Sequence, residues 1–519
     1  MGGSRGDPRT RPLRGATMIR IGVLCLLCLL SLPAFGDGER PRVQVEAGPL
    51  AGERREGVDR FLGIPYAAAP TGERRWRPPA PATGWDGLRD VTVAGAACPQ
   101  ASQQAIGVAP ARQDEDCLFL NVWAPADAER LPVMVWIHGG AHRFGAGSLP
   151  YYEGASLAGR GVVVVTLNYR LGYLGYFSHP ALDGEDAGGN FGFMDQLAAL
   201  HWVQRNIAAF GGDPARVTVF GESAGGVAVL MLMASPEAEG LFAGAIVQSG
   251  GGWAMLPDAV AMRRRVQAGL DRIDMPADAD ASVLRAVPAE RLVDAIAADR
   301  SLGFGPFVDG VSVVRQPVDV FRNGRQASVP LLIGSNTWEG SLMQALDPGE
   351  QGRRLADSKA VRELYRNETQ DDAVRQQLLF GDLVFGAPAR WIAAMQARKS
   401  SAWLYRFGYV RSGRRGQVPG VGHGSEIPYV FDVLGRSGGG ASMSEMSEAD
   451  LRMSRDVADC WVAFATHGRP DCVFAPWDAY SRRRDNTMDI ADDEARQVQR
   501  LRAPILDAID RFFSPDARR

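Results

Sequence analysis

The chain has almost no lysine, no long apolar run and no marked excess of either charge. Apart from Lys359 and Lys399 its basic side chains are arginines, and the formal net charge is −3 over 519 residues. Nucleic acids and anionic membrane surfaces attract strongly basic patches, so this charge argues against both kinds of partner. No uninterrupted apolar stretch reaches the roughly 20 residues of a membrane-spanning helix, and no internal repeat indicates a solenoid.

Residues 1–36 have the layout of a secretory signal peptide. A basic, Gly- and Pro-rich start leads into an apolar core at residues 21–32. Small residues at Ala34 and Gly36 suit cleavage before Asp37. A buried hydrophobic helix is the competing interpretation of the same stretch.

Cleavage leaves residues 37–519, which we expect to form one domain with no stable membrane span. Met18 is an alternative start, which would make residues 1–17 an extension. The arginine-, alanine- and glycine-rich composition is typical of a GC-rich genome. We therefore expect a bacterial protein that is exported to the periplasm or secreted.

Four of the six cysteines lie outside the apolar core of the leader. An even count in an exported chain favours two disulfides, and proximity favours Cys98 with Cys117 and Cys460 with Cys472. For the second pair, two buried thiols are the alternative. No histidine stands at zinc-ligand spacing near these cysteines, so the sequence predicts no metal, and it predicts no cofactor.

Strands alternate with helices along most of the chain. This alternation predicts an α/β protein with a doubly wound, mostly parallel central sheet. The charged helical stretch at 255–305 is expected to form a cap or inserted region, and residues 350–400 are expected to be helical again. The expected strands are 116–123, 131–137, 162–167, 216–220, 241–248, 329–334 and 402–409, and the expected helices include 195–209, 227–233 and 448–466.

Ser223 is expected at the apex of a sharp turn between a strand and a helix. Residues 221–225 read G-E-S-A-G, and the two glycines let strand and helix approach where a Cβ would clash. The helix that follows directs backbone N–H groups and its positive dipole end at the serine. Residues 435–439 also fit G-x-S-x-G, but a Gly/Ser/Met-rich loop follows them, so we interpret Ser437 as a linker serine.

A serine nucleophile needs a base, and the base needs an acid that orients it. His423 lies in a Gly-rich loop after the expected strand at 402–409, and Glu339 follows the buried strand at 329–334. The order serine, acid, histidine is that of the α/β hydrolases. Ser223, Glu339 and His423 are therefore the candidate catalytic residues.

Backbone donors for an oxyanion are expected after the central strand at 131–137. Gly140 and Ala141 follow that strand, and with Ala224 they supply three candidate N–H groups. His138 is expected to be structural. Glu222, beside the serine, either tunes the histidine or is a turn carboxylate bonded to backbone.

Longer motifs run along most of the mature chain in a familiar order. They are F-L-G-I-P-Y at 61–66, E-D-C-L-F-L-N-V at 115–122, G-N-F-G-F-M-D-Q at 189–196, N-I-A-A-F-G-G-D-P at 206–214, F-G-E-S-A-G-G at 220–226, Q-S-G at 248–250 and H-G-S-E-I-P-Y-V-F at 423–431. Together they resemble the type-B carboxylesterases, which include bacterial para-nitrobenzyl esterases and the cholinesterases.

The resemblance implies an α/β-hydrolase fold, a Ser223–Glu339–His423 triad and a Cys98–Cys117 disulfide. Ala141 stands where the family usually has a third glycine, which keeps the N–H donor but adds a methyl. The loop between the first two cysteines lacks the tryptophan with which cholinesterases hold a quaternary ammonium, so a choline site is unsupported.

We expect hydrolysis of a small-molecule carboxylic ester through an acyl-enzyme on Ser223. The same triad serves carbamates, amides and lactones, which remain alternatives at this stage. A non-catalytic adhesion-type relative is disfavoured because all three triad residues are present. The sequence carries no signal for an oligomeric state.

Overall fold

The strands at the centre of the protein consist mainly of apolar residues, which the fold buries on both faces of a sheet. Such strands occur where helices cover both faces of a mostly parallel sheet. In the computed structural model, the described residues are 40–101, 112–185, 188–253, 255–297, 304–344, 349–435, 445–492 and 494–518.

Two sheets form the strand framework, one of eleven strands and one of three. The large sheet has the order β14-β13-β12-β11-β10-β9-β7-β8-β6-β4-β3, and the small one β1-β2-β5. In the large sheet, neighbouring strands run parallel in the stretch β8-β7-β9-β10-β11-β12-β13. The pairs towards both edges of that sheet are antiparallel. The predicted doubly wound, mostly parallel sheet is confirmed. The strands are β1 Arg42–Val45, β2 Gly48–Ala51, β3 Glu53–Arg55, β4 Val58–Pro65, β5 Arg89–Asp90, β6 Phe119–Pro125, β7 Leu131–Ile137, β8 Val163–Leu167, β9 Gly212–Glu222, β10 Gly244–Gln248, β11 Leu331–Asn336, β12 Ala402–Phe407, β13 Asn486–Ile490 and β14 Ala495–Gln499.

Helices connect and cover these strands. The α-helices are α1 Ala155–Ala158, α2 Gly172–Gly175, α3 Phe191–Asn206, α4 Ala224–Ala234, α5 Ala259–Leu270, α6 Ala281–Arg285, α7 Ala289–Ala297, α8 Pro317–Arg322, α9 Gly349–Ala356, α10 Lys359–Leu364, α11 Asp372–Gly381, α12 Ala387–Gln396, α13 Ile427–Val430, α14 Glu448–His467 and α15 Ala503–Phe513. Short 3-10 helices are Gly72–Arg74, Pro150–Tyr152, Pro180–Glu185, Ile207–Phe210, Pro236–Ala238, Asp271–Ile273, Glu339–Gln344, Ser412–Arg414 and Pro515–Arg518.

The alternation of side chains along β7 divides the core into two layers. Val133, Val135 and Ile137 lie in the cluster that includes residues of α3, α4 and α12. Met134 and Trp136 point the other way and pack in the cluster that includes α14. Successive side chains of a strand face opposite sides of a sheet, so one apolar strand serves both layers.

The helical regions predicted at 255–305 and 350–400 are present where the chain is described. Helices α5, α6 and α7 pack against α2 and α3 in a separate apolar cluster. Helix α11 continues through a π-helical turn, Asp382–Gly386, into α12. A π-turn inserts one residue into a helix and is often found at functional sites.

Among the described residues, one helix is long and apolar enough to cross a membrane, judged by length and composition alone. It is the combined stretch Asp372–Gln396. Its mean hydropathy is 1.3, and 56% of its most apolar window is buried inside the protein. Core helices pass the same test, and this one packs on β11 and β12.

Several predicted strand ends differ from those observed. The strand expected at 116–123 begins at Phe119, the strand expected at 241–248 begins at Gly244, and the one expected at 402–409 ends at Phe407. The last two strands and α15 were not predicted. Their alternation is weak because polar residues such as Asn486 and Thr487 are themselves buried.

Both predicted cysteine pairs lie at disulfide distance. The Cα atoms of Cys98 and Cys117 are 4.9 Å apart, and those of Cys460 and Cys472 are 4.6 Å apart. Two such pairs favour an exported or extracellular protein. The signal peptide predicted at 1–36 and the linker serine Ser437 lie outside the described residues.

A buried ion pair joins the end of β8 to α3. Arg170 donates two guanidinium hydrogen bonds to the carboxylate of Asp195, and the two side chains are 3% and 0% exposed. The same carboxylate accepts the backbone N–H of Arg170. Since both charges are removed from water, each needs the other as its counter-charge to offset the cost of burial.

We expect Asp195→Asn to lower the free energy of unfolding by about 3–5 kcal/mol, because it leaves the Arg170 charge buried without its counter-ion. The measurement is urea-induced unfolding followed by tryptophan fluorescence. Arg205→Gln, which breaks the pair between Arg205 and Glu46 with side chains 49% and 64% exposed, is the control and should change little. An unchanged transition in Asp195→Asn would contradict this account.

Candidate active site

Ser223 lies at the point where β9 passes into α4. Its backbone has φ 56° and ψ −122°, and α4 begins at the next residue, Ala224. A Cβ at Gly221 would lie 2.6 Å from the backbone carbon of Gly225, and a Cβ at Gly225 would overlap the carbonyl oxygen of Ile137. Glycine is therefore required on both sides of the serine, and the predicted strand–turn–helix geometry is confirmed.

The carboxyl ends of β9, β10 and β11 bring the next residues to the same edge of the sheet. The N–H of Ser223 donates to the carbonyl of Gln248, and the N–H of Ser249 donates to that of Gly334. Parallel neighbours end side by side, so Glu339, which follows β11, lies in the same region as the elbow.

Glu339 is buried and held by two donors. Its Oε1 accepts hydrogen bonds from the hydroxyl of Ser249 and from the backbone N–H of Asn336. Its other oxygen, Oε2, lies 2.6 Å from Nδ1 of His423. These contacts fix the orientation of the carboxylate and leave one oxygen for the imidazole.

His423 lies in the loop that follows β12. The loop is anchored by a bridge between Trp338 and Gly422 and by a hydrogen bond from the N–H of His423 to the hydroxyl of Ser341. The ring of Phe385, in the π-helical turn, lies 5.0 Å from the imidazole. The sequence had indicated this loop, and the structure joins it to Glu339.

Glu222 faces the other nitrogen of His423. Its Oε1 lies 3.2 Å from Nε2, although the angles of this contact do not make it a hydrogen bond. Burial raises the pKa of Glu222 to about 8, against the pull of the imidazole. Burial alone would lower the pKa of His423, but the carboxylates of Glu222 and Glu339 outweigh it and raise that pKa.

Ser223 and His423 line the same cavity without a hydrogen bond between them. The described residues offer no hydrogen-bond partner to Nε2 of His423. Catalytic hydrogen bonds are often long before substrate binds, so this separation does not exclude a working pair. The structure thus joins two of the three predicted triad side chains by a hydrogen bond and brings the third to the same cavity.

Gly140, Ala141 and Ala224 all lie on the cavity wall near Ser223. Their N–H groups make no backbone hydrogen bond within the described chain. Gly140 has φ 107° and Ala141 has φ 53°, so the chain turns sharply where the two amides are exposed. Unpaired N–H groups beside a serine are suited to bind a developing oxyanion.

His138 lies behind this wall, in the core. Its ring stacks on Tyr169 with centroids 4.4 Å apart, and Nδ1 lies 2.8 Å from the carbonyl oxygen of Gly139. Burial lowers the pKa of His138 to about 4. A neutral, packed imidazole agrees with the structural role expected for it.

Sequence reasoning did not assign roles to two other polar residues at the site. Ser249 donates to Glu339, and buried Glu426 accepts hydrogen bonds from Gln248 and Asn336. Both lie inside motifs of the family resemblance, at 248–250 and 423–431. Those motifs were the available signal, because nothing local in the sequence shows that Ser249 reaches Glu339.

The cavity in front of Ser223 has a volume of about 1810 Å³. Much of its wall is apolar and comes from α4, from the residues after β10 and from the π-helical turn. No group of three or more His, Cys, Asp or Glu side chains suited to a metal occurs in the described ranges. The apolar wall members include Leu230, Met231, Trp253, Leu256, Phe321, Leu342, Leu383, Val384 and Phe385.

Comparison with known proteins agrees with this geometry. Residues 39–507 match the Carboxylesterase family. The Fumonisin B1 esterase of Sphingopyxis macrogoltabida is 38% identical over 491 residues, which cover 88% of each chain. The Para-nitrobenzyl esterase of Bacillus subtilis (strain 168) is 35% identical over 87% of this chain and 95% of its own.

A solved structure of a PNB esterase superposes with a TM-score of 0.79 at 33% identity, covering 91% of this chain and 100% of that one. The family resemblance predicted from the motifs is therefore confirmed. The chain belongs to the carboxylesterase family of α/β hydrolases, enzymes that hydrolyse carboxylic esters through a serine acyl-enzyme.

Proposed function

We propose that Ser223 is the nucleophile of this esterase, His423 its general base and Glu339 the acid that orients the base. The observation that carries the assignment is the 2.6 Å contact between Nδ1 of His423 and Oε2 of Glu339, on the wall of the cavity that Ser223 enters. A carboxylate on Nδ1 leaves Nε2 free to take the serine proton.

The reaction proceeds in two steps of acyl transfer. Ser223 attacks the ester carbonyl as His423 takes its proton, and the protonated imidazole then gives that proton to the leaving alcohol. Water repeats the sequence on the acyl-enzyme and releases the acid. The N–H groups of Gly140, Ala141 and Ala224 hold the oxyanion in both steps.

Glu222 tunes His423 in this proposal. A charged carboxylate 3.2 Å from Nε2 stabilises the imidazolium that forms during attack. A proton on Glu222 removes this effect, and burial favours that proton. The proton state of Glu222 therefore controls how readily His423 acts as a base.

We also propose that residues 1–36 are a signal peptide and that the mature chain, 37–519, is a single exported α/β-hydrolase domain. Residues Arg40–Arg519 group into one compact unit by their contacts, and the family match begins at residue 39. The two cysteine pairs support an oxidising compartment.

We expect Ser223→Ala to lower kcat for a para-nitrophenyl ester by at least about 10⁴-fold, because the covalent step is lost. Hydrolysis is followed by nitrophenolate absorbance. Mass spectrometry of the enzyme treated with a fluorophosphonate should place the label on Ser223.

The matched control is Ser437→Ala, at the other G-x-S-x-G sequence of the chain. It should keep wild-type activity and labelling. Wild-type hydrolysis by Ser223→Ala would overturn the assignment, and so would a label on Ser437.

Glu222→Gln should move the acid limb of the pH profile of kcat/KM to lower pH, by about one unit or more. His423 acts as a base when it is neutral, so activity rises with pH through its pKa. Removing a neighbouring carboxylate lowers that pKa and extends activity downward. Glu46→Gln, at the surface, is the control, and an unmoved acid limb would indicate that Glu222 is a turn carboxylate alone.

Expression of the full chain in a bacterial host should yield a mature protein that begins at Asp37. Small residues at Ala34 and Gly36 define this cleavage point, so Ala34→Arg should block it. Intact-mass and N-terminal sequence measurements on the periplasmic fraction and the medium test both expectations. Full-length wild-type protein retained in the cytoplasm would contradict the proposal.

A further inference from the structure

The charged side chains on the wall of the catalytic cavity are unevenly distributed. Glu222, beside the serine, is the single acid among the described wall residues. Three arginines, Arg143, Arg411 and Arg414, also line the cavity. Among the described wall residues, arginines thus outnumber acids by three to one.

Arg411 differs from the other partly buried arginines. Arg160 pairs with Asp432, and Arg502 pairs with Asp382. The side chain of Arg411 makes no hydrogen bond or ion pair with any described residue, although it is partly buried. A guanidinium with five donors and no carboxylate partner is available to bind a ligand.

Two acids that hold the segment around Arg411 are engaged by other residues. Asp450 accepts hydrogen bonds from the hydroxyl of Tyr409 and from the N–H of Ser412. Asp492 accepts the N–H of Val410. These carboxylates hold the loop in shape, and neither forms an ion pair with Arg411.

The residues around Arg411 lie on the side of the cavity that carries His423. Tyr429, also on the wall, belongs to α13, which begins four residues after His423. Burial raises the pKa of the Tyr429 phenol, and the Arg411 guanidinium acts in the opposite direction. The ring of Tyr429 packs against that of Tyr409, two residues before Arg411, with centroids 5.9 Å apart.

We propose that the esterase acts on esters that carry a carboxylate, and that Arg411 is the specificity residue that binds this group. The inference rests on the proposed function, since it assumes that Ser223 attacks in the same cavity. Arg414, an exposed residue of the same loop, also lines the cavity and adds a second positive charge to this part of the wall.

The chemistry of the wall suits an amphiphilic substrate. A guanidinium binds a carboxylate through two parallel hydrogen bonds, which fix the orientation of the ligand as well as its charge. Apolar side chains from α4 and the π-helical turn cover other parts of the same cavity. The substrate class is thus an ester with an apolar part and an anionic end.

Matched pairs of substrates test the proposal. One pair places the carboxylate on the acyl side, mono-para-nitrophenyl suberate against para-nitrophenyl octanoate. The other places it on the alcohol side, para-carboxyphenyl butanoate against its neutral carboxamide. Arg411→Gln should lower kcat/KM for the anionic member of at least one pair by about tenfold and leave its neutral partner within about twofold. Arg411→Lys, which keeps the charge, should lose less.

Arg455→Gln is the control, because it removes the same charge from an exposed pair with Glu448 on α14, away from the cavity wall. It should leave both ratios unchanged. Equal effects of Arg411→Gln on both members of each pair, or no effect on either, would overturn the inference. If Arg411→Gln gave such a result while Ser223→Ala was inactive, the proposed function would stand and only the role of Arg411 would fall. An active Ser223→Ala enzyme would overturn the proposed function and the role of Arg411 together.

Discussion

Three backbone segments touch at the carboxyl edge of the sheet, and the rest of the site depends on that contact. The end of β7, the end of β9 and the first turn of α4 come so close that no Cβ fits between them. A Cβ at Gly139 would lie 2.7 Å from the carbonyl oxygen of Glu222, and one at Gly221 would lie equally close to that of Ile137. Glycine at these positions lets the amides that follow β7 lie beside the serine that follows β9.

The close contact has an electrostatic consequence. It buries Glu222 beside His423, and the strand ends bring Glu339 and Glu426 into the same region. Buried carboxylates are costly unless hydrogen bonds or opposite charges compensate them. Glu339 and Glu426 receive donors from Ser249, Asn336 and Gln248. Glu222 has the imidazole as its polar neighbour. Burial raises the pKa of Glu222 to about 8, and it also raises the pKa of Glu426.

This difference separates the three acids by role. A carboxylate fixed by several donors keeps its orientation, as Glu339 must if it is to orient an imidazole. A carboxylate whose Oε1 lacks a hydrogen bond gains and loses a proton more readily near neutral pH. Glu222 is in that state and faces Nε2, the nitrogen that would receive the serine proton.

The sequence predicted the parts of this site that are encoded locally. The elbow is a short pattern in which apolar strand, paired glycines and helix lie in one stretch, and the two loops that carry Glu339 and His423 each follow a recognisable strand. Ser249 and Glu426 were assigned no role because their partners lie 90 residues away in the chain. The β13–β14 hairpin was missed because buried polar residues weaken its alternation.

The residues proposed for catalysis and those proposed for substrate specificity are held in place differently in this fold. Ser223 and the amides of Gly140 and Ala141, the proposed nucleophile and oxyanion donors, stand beside backbone contacts that leave no room for a Cβ at Gly139, Gly221 or Gly225. Arg143, Arg411 and Arg414 stand on loops, and no backbone contact of that kind requires an arginine there. Loops on a rigid scaffold can change their side chains without disturbing the core. The charge of the cavity wall can therefore change independently of the residues proposed for catalysis, and in this enzyme three arginines line that wall.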